Sequence, residues 1–288
     1  MKLGVNLWVW SSPFNTNRDL PLLEKVRTFG GEVVEFGFED DSVVDTRALR
    51  SALGDNGLSC SIIGLFNPHR DLASPDVESR QRGIEYAQRG LDISAEVGAS
   101  IFSGSVAGVA GEKRLSTTEW QSSIQRAAEE LDLLGRHAAK IGVRLGIEVL
   151  NRYENNLINT TGQARELVNL IQCPSVGIHL DCFHMNIEEQ NIGEAICTAG
   201  AKLFHLHGSD SHRGIPGRGH VSWSEVSNSL KRIGYDGYVI IESFNPEGRL
   251  APLARVWRPL SDSLDALAQE GLAFLKGHLR NSNAQLGA

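Results

Sequence analysis

The sequence predicts an α/β protein, a single (β/α)8 barrel running from residue 1 to residue 288. Three observations carry this reading. Eight short runs rich in β-branched and apolar residues alternate with helical segments from one end of the chain to the other. The series fits within 288 residues, the size of one such barrel. No linker or low-complexity segment interrupts it. A doubly wound open sheet is the alternative. It would normally carry a glycine-rich phosphate turn after its first strand, and Asn6-Leu7-Trp8 is not one.

In chain order, strands are predicted at 3–7, 32–37, 58–64, 100–104, 143–149, 176–181, 202–207 and 238–243. Between the third and fourth, Ser74-Pro75-Asp76 reads as an N-cap followed by proline at the first helical position. Ser116-Thr117-Thr118-Glu119 opens the next helix, in which Leu131, Leu134, Ala138 and Ile141 are spaced for one buried stripe. Thr161, Ser222 and Ser224 are read as further caps. Gly98, Gly142 and Gly234 each stand between a helix and the next strand, where a left-handed residue is wanted. A long C-terminal helix is expected at about 253–279, followed by a polar tail, completing the outer ring and available for a subunit contact.

A net charge of −7 argues against a nucleic-acid partner, which needs a basic face. The four cysteines, Cys60, Cys173, Cys182 and Cys197, form no C-x-x-C pair, so reduced thiols are the simplest reading. The opening MKLGVNLWVWSSPF has too short an apolar run for a signal segment or a membrane span. A cytoplasmic protein with no membrane partner is the expectation.

In a parallel barrel the C-terminal ends of all strands open on one face, where reactive groups gather. Four successive strands end here in side chains able to bind metal: Glu148, Asp181, His207 and Glu242. Each follows an apolar run, so each carboxylate would be buried, and a buried charge requires a partner or a metal. Any one of these acids alone could be a helix cap, but four on successive strands point to a divalent cation. Three carboxylates and one imidazole suit Mn²⁺, Mg²⁺ or Co²⁺ better than a closed structural zinc site. Glu154, His184 and Arg213 follow these residues at short spacing, on loops that can fold back over the mouth. They would form a cage for a small polyhydroxy or carbonyl compound, although an arginine so placed can also merely pair with a surface acid. His205, one pleat inward of His207, reads as a packed or supporting histidine. Glu35 reads as support behind the ligands, and His69 is left unassigned.

With these residues in place the chain resembles the ketose 3-epimerases, the D-tagatose and D-psicose (D-allulose) 3-epimerase group of the xylose-isomerase-like TIM barrels. The resemblance covers essentially the whole chain. It rests on GIEVLNRYENNLINT, HLDCFHMNIEE, HLHGSDSHRGIPGRGHVSW and IIESF, with the weaker NPHRDLASPD after strand three. It implies Glu148, Asp181, His207 and Glu242 as metal ligands, with Mn²⁺ as the first choice and Co²⁺ or Mg²⁺ as alternatives. It implies Glu154, His184 and Arg213 as the groups that hold the carbonyl end of the sugar. Relatives often carry an aromatic residue on strand one where this chain has Asn6, so Asn6 joins the substrate-binding set. Phe244, Trp10 and Phe66 are candidates for the apolar wall, with Trp8 nearby.

The resemblance further implies inversion at C3 of a free 2-ketose through a cis-enediolate, with Glu148 and Glu242 as the two acid/base groups. The substrate would be a ketohexose such as D-tagatose, D-fructose or D-psicose, or L-ribulose, and the enzyme a homodimer or homotetramer without an organic cofactor. Rival readings on the same barrel are an aldose–ketose isomerase and an inosose-dehydratase-like lyase; Arg213 in its His-Arg-Gly context favours the epimerase. An apurinic-site endonuclease would need a histidine after strand four, where Gly104 and Ser105 stand. A sugar-binding protein without turnover is disfavoured because both glutamates are intact.

Overall fold

The computed structural model describes residues 1–109 and 114–280. Eight parallel strands close into a barrel in chain order: β1 (Lys2–Asn6), β2 (Val33–Phe38), β3 (Ser59–Gly64), β4 (Ile101–Gly104), β5 (Arg144–Glu148), β6 (Val176–Asp181), β7 (Leu203–His207) and β8 (Tyr238–Ile241). β1 pairs with both β2 and β8, so the sheet has no free edge. All eight predicted strands are present, with ends displaced by at most two residues.

The helices form the outer ring and cover the barrel with their apolar stripes. In the helix Thr117–Ile141, Leu131, Leu134 and Ala138 are fully buried and Ile141 lies at the margin. Its start is the predicted Ser116, whose hydroxyl accepts from the Glu119 amide while the Glu119 carboxylate accepts from the Ser116 amide. Gly98 and Gly142 end their helices at φ 81° and 72°, a conformation that a Cβ would penalise.

Three predicted boundaries move. The helix Val77–Val97 is capped by Asp76 and not by Ser74 with Pro75 behind it. The Asp76 carboxylate accepts from both Glu78 and Ser79 amides, whereas the Ser74 hydroxyl reaches only the Asp76 amide. The helix Thr161–Leu170 is capped by Thr160, because Gln163 three residues on closes a reciprocal pair with it. Ser222 does stand at the start of the helix Trp223–Arg232, but its side chain makes no capping bond, and Ser224 lies inside the first turn. The C-terminal helix begins at Leu264 and not near 253. Arg255 at φ 58° and the two prolines Pro252 and Pro259 keep the preceding residues in turns, and Ser263 caps the true start through the Ala266 amide. The polar tail, residues 281–288, lies outside the described residues. Among the described residues no helix is long and apolar enough to cross a membrane.

Candidate metal centre and sugar pocket

Side chains alternate along each strand, so Glu148, Asp181 and His207 point into the barrel at the C-terminal ends of β5, β6 and β7. Strand pairing sets Asp181 directly beside His207. Glu242 follows β8 by one residue. All four are buried. His207 Nδ1 lies 3.8 Å from Glu148 Oε1 and 3.4 Å from Glu242 Oε1. One donor atom each from Glu148, Asp181 and His207 falls within a 4.8 Å cluster.

Buried polar atoms are ordinarily hydrogen-bonded. His207 Nδ1 and Asp181 Oδ2 have no hydrogen-bond partner. Asp181 Oδ1 does have one: it accepts from the Phe183 amide at 2.8 Å, which is the helix-cap role that the sequence left open for any single acid. The other oxygen remains available. This donor set therefore fits a divalent cation, and Glu148, Asp181, His207 and Glu242 are the residues able to hold it.

Beneath this cluster is a buried polar layer centred on Glu35. Glu35 Oε1 accepts from Asn6 Nδ2 at 2.9 Å and lies 2.7 Å from His207 Nε2. Glu35 Oε2 accepts from Ser61 Oγ at 2.9 Å and lies 2.7 Å from His205 Nε2. A carboxylate so placed against His207 Nε2 orients that imidazole and makes it a better ligand. His179, His205 and His207 also approach one another, close enough for one nitrogen of each to share an ion, with their rings packed edge to face. Both ring nitrogens of His179 have no hydrogen-bond partner among the described residues.

Electrostatics separate the two glutamates. Burial pushes the Glu148 carboxyl well above the ordinary range, and the Glu242 charge adds to the effect. Burial also raises Asp181, to about 6. For Glu242, burial is outweighed by the His207 and Arg213 charges, which hold it at about 2. Burial opposes a charge on His207, yet Glu242 and Glu35 together raise it well above the usual imidazole range.

Arg213 is buried and joins this group from the loop after β7. Its backbone is left-handed at φ 57°, a costly conformation for a side chain of this size. Ser243 Oγ donates to its carbonyl at 2.7 Å, and Phe183 and Phe244 flank its guanidinium at 4.1 and 5.1 Å. Nη1 pairs with Glu242 Oε2 and lies 3.6 Å from Asp181 Oδ2. An arginine held this way is no surface residue. The loop itself is organised by Asp210, which accepts from the Ser211, Gly217 and Val221 amides and from Trp223 Nε1.

A pocket opens above the cluster. Glu148, Glu154, His184, Arg213 and Glu242 line one side, and Trp8, Ile63, Leu65, Phe66, Phe244 and Leu250 line the other. The structure thus brings Glu154, His184 and Arg213 together with the four strand-end residues, and it puts Phe66 and Phe244 in the wall. Two expected pocket residues, Asn6 and Trp10, are not brought into the pocket, nor is His69, which the sequence leaves unassigned. Asn6 is fully buried below the pocket, its amide committed to Glu35. Trp10 turns outward, where its Nε1 donates to Asp265 at 2.7 Å. His69 is exposed in the loop after β3. The aromatic facing the pocket from the first strand is Trp8, which stacks on Phe244 at 5.5 Å and packs so closely on Gly37 that a Cβ there would meet the indole at 2.3 Å. Its spacing of two from Asn6 was the available signal. Asn151, behind His184, was also missed; it is a buried polar residue just beyond the exit of β5.

The family model described as the xylose isomerase-like TIM barrel matches residues 23–278, and the chain belongs to that family. Within it the chain falls among the ketose 3-epimerases, enzymes of the isomerase class. It is 32% identical over 282 residues to the ketose 3-epimerase of Arthrobacter globiformis, covering 97% of each chain. It is 31% identical to the L-ribulose 3-epimerase of Mesorhizobium japonicum, covering 95% of this chain and 93% of that one. The crystal structure of D-psicose 3-epimerase with D-tagatose from Clostridium cellulolyticum superposes with a TM-score of 0.88 at 30% identity, covering 97% of this chain and 99% of that one.

Proposed function

We propose that this chain inverts C3 of a free 2-ketose, with Glu148 and Glu242 as the acid/base pair and Mn²⁺ as the metal held by Glu148, Asp181, His207 and Glu242. The observation that carries this reading is the pair of buried carboxylates on strands β5 and β8, both beside His207 Nδ1 at 3.8 and 3.4 Å and both lining the pocket. A divalent cation bound there supplies Lewis-acid polarisation of a carbonyl oxygen. One glutamate takes the proton from C3, the electron pair of that bond forms the C2–C3 double bond, and the carbonyl π pair moves onto O2 to leave an enediolate. The other glutamate returns a proton to the opposite face, and the roles exchange in the reverse direction. Arg213, Glu154 and His184 hold O1 and O2, so that C3 rests between the carboxylates. Trp8, Phe66 and Phe244 close the apolar side against water.

D-tagatose, D-fructose, D-psicose and L-ribulose are the substrates of this reading, supported by the activities of the relatives and by the sugars present in their solved structures. The reading includes a cytoplasmic setting, supported by four free cysteines, and a homodimer or homotetramer, to be read by sedimentation.

The test is product analysis by NMR on that ketose panel, with Mn²⁺ added, in D₂O. The expected result is a C3 epimer carrying deuterium at C3, abolished by chelation and restored by Mn²⁺ or Co²⁺. Deuterium at C1 with none at C3 would identify an aldose–ketose isomerase, and a dehydrated ketone a lyase. Full turnover by protein shown free of metal by elemental analysis would remove the metal from the reading.

A further inference from the structure

Donors approach both ring nitrogens of His184, and most of them come from one neighbour outside the pocket. The backbone amide of Asn151 donates to His184 Nδ1 at 3.1 Å, and an amide N–H can only donate. Asn151 Nδ2 lies 2.7 Å from the same nitrogen. The orientation of this side-chain amide is itself settled, because Asn151 Oδ1 accepts from the Tyr153 amide at 2.9 Å, which turns the NH₂ group toward the ring. Nδ1 is therefore an acceptor, and the ring proton is on Nε2. The second hydrogen of the same NH₂ goes to Glu154 Oε1 at 3.0 Å. One buried side chain thus grips two pocket residues from behind, and it is not itself part of the pocket lining.

The front of the ring explains why the tautomer matters. Nε2 lies 3.2 Å from Arg213 Nη2, which can only donate and by itself would ask for a lone pair on Nε2. The two donors at Nδ1, one of them at 2.7 Å, outweigh that single longer contact. Asp181 Oδ2 is 3.7 Å away, beyond hydrogen-bond reach. Among the described residues Nε2 meets no acceptor, so His184 and Arg213 present two donors to the same space. Two converging donors suit one oxygen that gains negative charge. With the proton on Nδ1, the ring would instead offer a lone pair there and repel such an oxygen.

We propose that Asn151 is a positioning residue that locks His184 as the Nε2–H tautomer, making it a hydrogen-bond donor to a ketose oxygen shared with Arg213, and that it steers Glu154 through the same amide. The kinetic part of this inference rests on the epimerase reading; the tautomer part does not.

The decisive variant is Asn151→Asp, which keeps the shape and the bond from Tyr153 but replaces the donor facing Nδ1 with an acceptor. It should draw a proton onto Nδ1. In Mg²⁺-loaded protein with ¹⁵N-labelled histidine, the His184 resonances (identified by their loss in His184→Ala) should show Nε2 protonated in wild type and Nδ1 protonated in Asn151→Asp. With D-fructose and D-psicose, kcat/KM should fall on the order of 10- to 100-fold at unchanged metal content. Asn151→Ala, which keeps the backbone donor, should retain the wild-type tautomer and lose less. Protonation of Nδ1 in wild type overturns the proposal, whatever the variants do. So does Asn151→Asp with normal kinetics, or with lowered kcat/KM and an unaltered His184 tautomer. If the wild type turns over no ketose, the epimerase reading falls, and the labelled spectra still decide the tautomer.

Discussion

Strands β1 to β4 and strands β5 to β8 reach the same pocket with different chemistry. The first half brings Trp8, Ile63, Leu65 and Phe66 with the uncharged Asn67 and Ser105, while its Asn6, Glu35 and Ser61 are fully buried. Every ionisable residue of the lining comes from the second half, beside the apolar Phe244 and Leu250. From the second half come Glu148, His184, Arg213 and Glu242 at the pocket surface, with Asp181 and His207 just beneath. Glu35 joins the halves: it belongs to β2, yet it spends one oxygen on His207 of β7. The contrast teaches that a barrel with eight equivalent strand ends can divide its labour, one side carrying the ionisable groups to which the proposed reaction assigns the chemistry and the other shaping and bracing the pocket. Breaking each side should therefore have a different signature.

The largest effect is expected on the reactive side. Glu148→Gln and Glu242→Gln preserve shape and an oxygen for the metal, but neither can carry the C3 proton. Each should lower epimerisation by about 10²–10⁴-fold while the melting temperature stays near wild type. In D₂O each should retain slow exchange into one epimer only, a different one for each variant. Near-normal epimerisation by either metal-loaded variant would remove the two-base assignment.

Next in size is the brace. Glu35→Gln removes the charge held between two imidazoles, where burial alone would raise the carboxyl but His207 and His205 hold it well below the ordinary range. Breaking a buried pair of this kind costs about 3–5 kcal/mol, and loss of the hydrogen bond behind a ligating imidazole weakens metal binding about 10- to 100-fold. Chemical denaturation of metal-free protein and calorimetric Mn²⁺ titration read the two effects separately. A variant as stable as wild type, with equal Mn²⁺ affinity, would mean that the halves of the barrel work independently.

Arg213→Ala removes a group that is not itself one of the candidate ligands, although it pairs with Glu242. It should lower kcat/KM for an active ketose by about 10²-fold, the cost of one donor to a charge-gaining oxygen, with metal content per chain unchanged. Unchanged KM and kcat would show that the buried guanidinium serves the fold alone. The smallest effect belongs to the wall. Phe66→Leu trims a side chain that touches Tyr86 edge to face at 5.2 Å and lines the pocket. KM for a ketohexose should rise by no more than about tenfold at constant kcat. A collapse of kcat instead would move Phe66 into the reacting half.

The residues most legible in the sequence were those whose position follows from local rules. A run such as VGIHLD must be a buried strand, its period of two settles which side chains face inward, and a parallel barrel turns all those ends to one face. Glu148, Asp181, His207 and Glu242 could therefore be named from the chain alone, and so could the alternation of strands and helices. Ser74-Pro75-Asp76 and Thr161 were also visible as capping chemistry, although the cap fell one or two residues from the expected place, since adjacent Ser, Thr and Asp compete for the same amides.

What the chain could not reveal was which of several neighbouring side chains a closed barrel would turn inward. Trp8 and Trp10 are two residues apart and equally aromatic, but a short 3-10 turn at Leu7–Val9 sends one onto Gly37 and the other out to Asp265. Asn6 looked like a pocket residue until strand pairing set it beside Glu35. Glu35 meets His207 across 172 positions, and Asn151 meets His184 across 33. The sequence by itself determined the strands, their inward faces and the acids and imidazole at their ends, because these depend on local period and on the cost of burying a charge. Only the tertiary structure decided the partners of those groups and the aromatic that faces the pocket, because a hydrogen bond needs two atoms within about 3 Å, and it is closure of the barrel that brings distant parts of the chain that near.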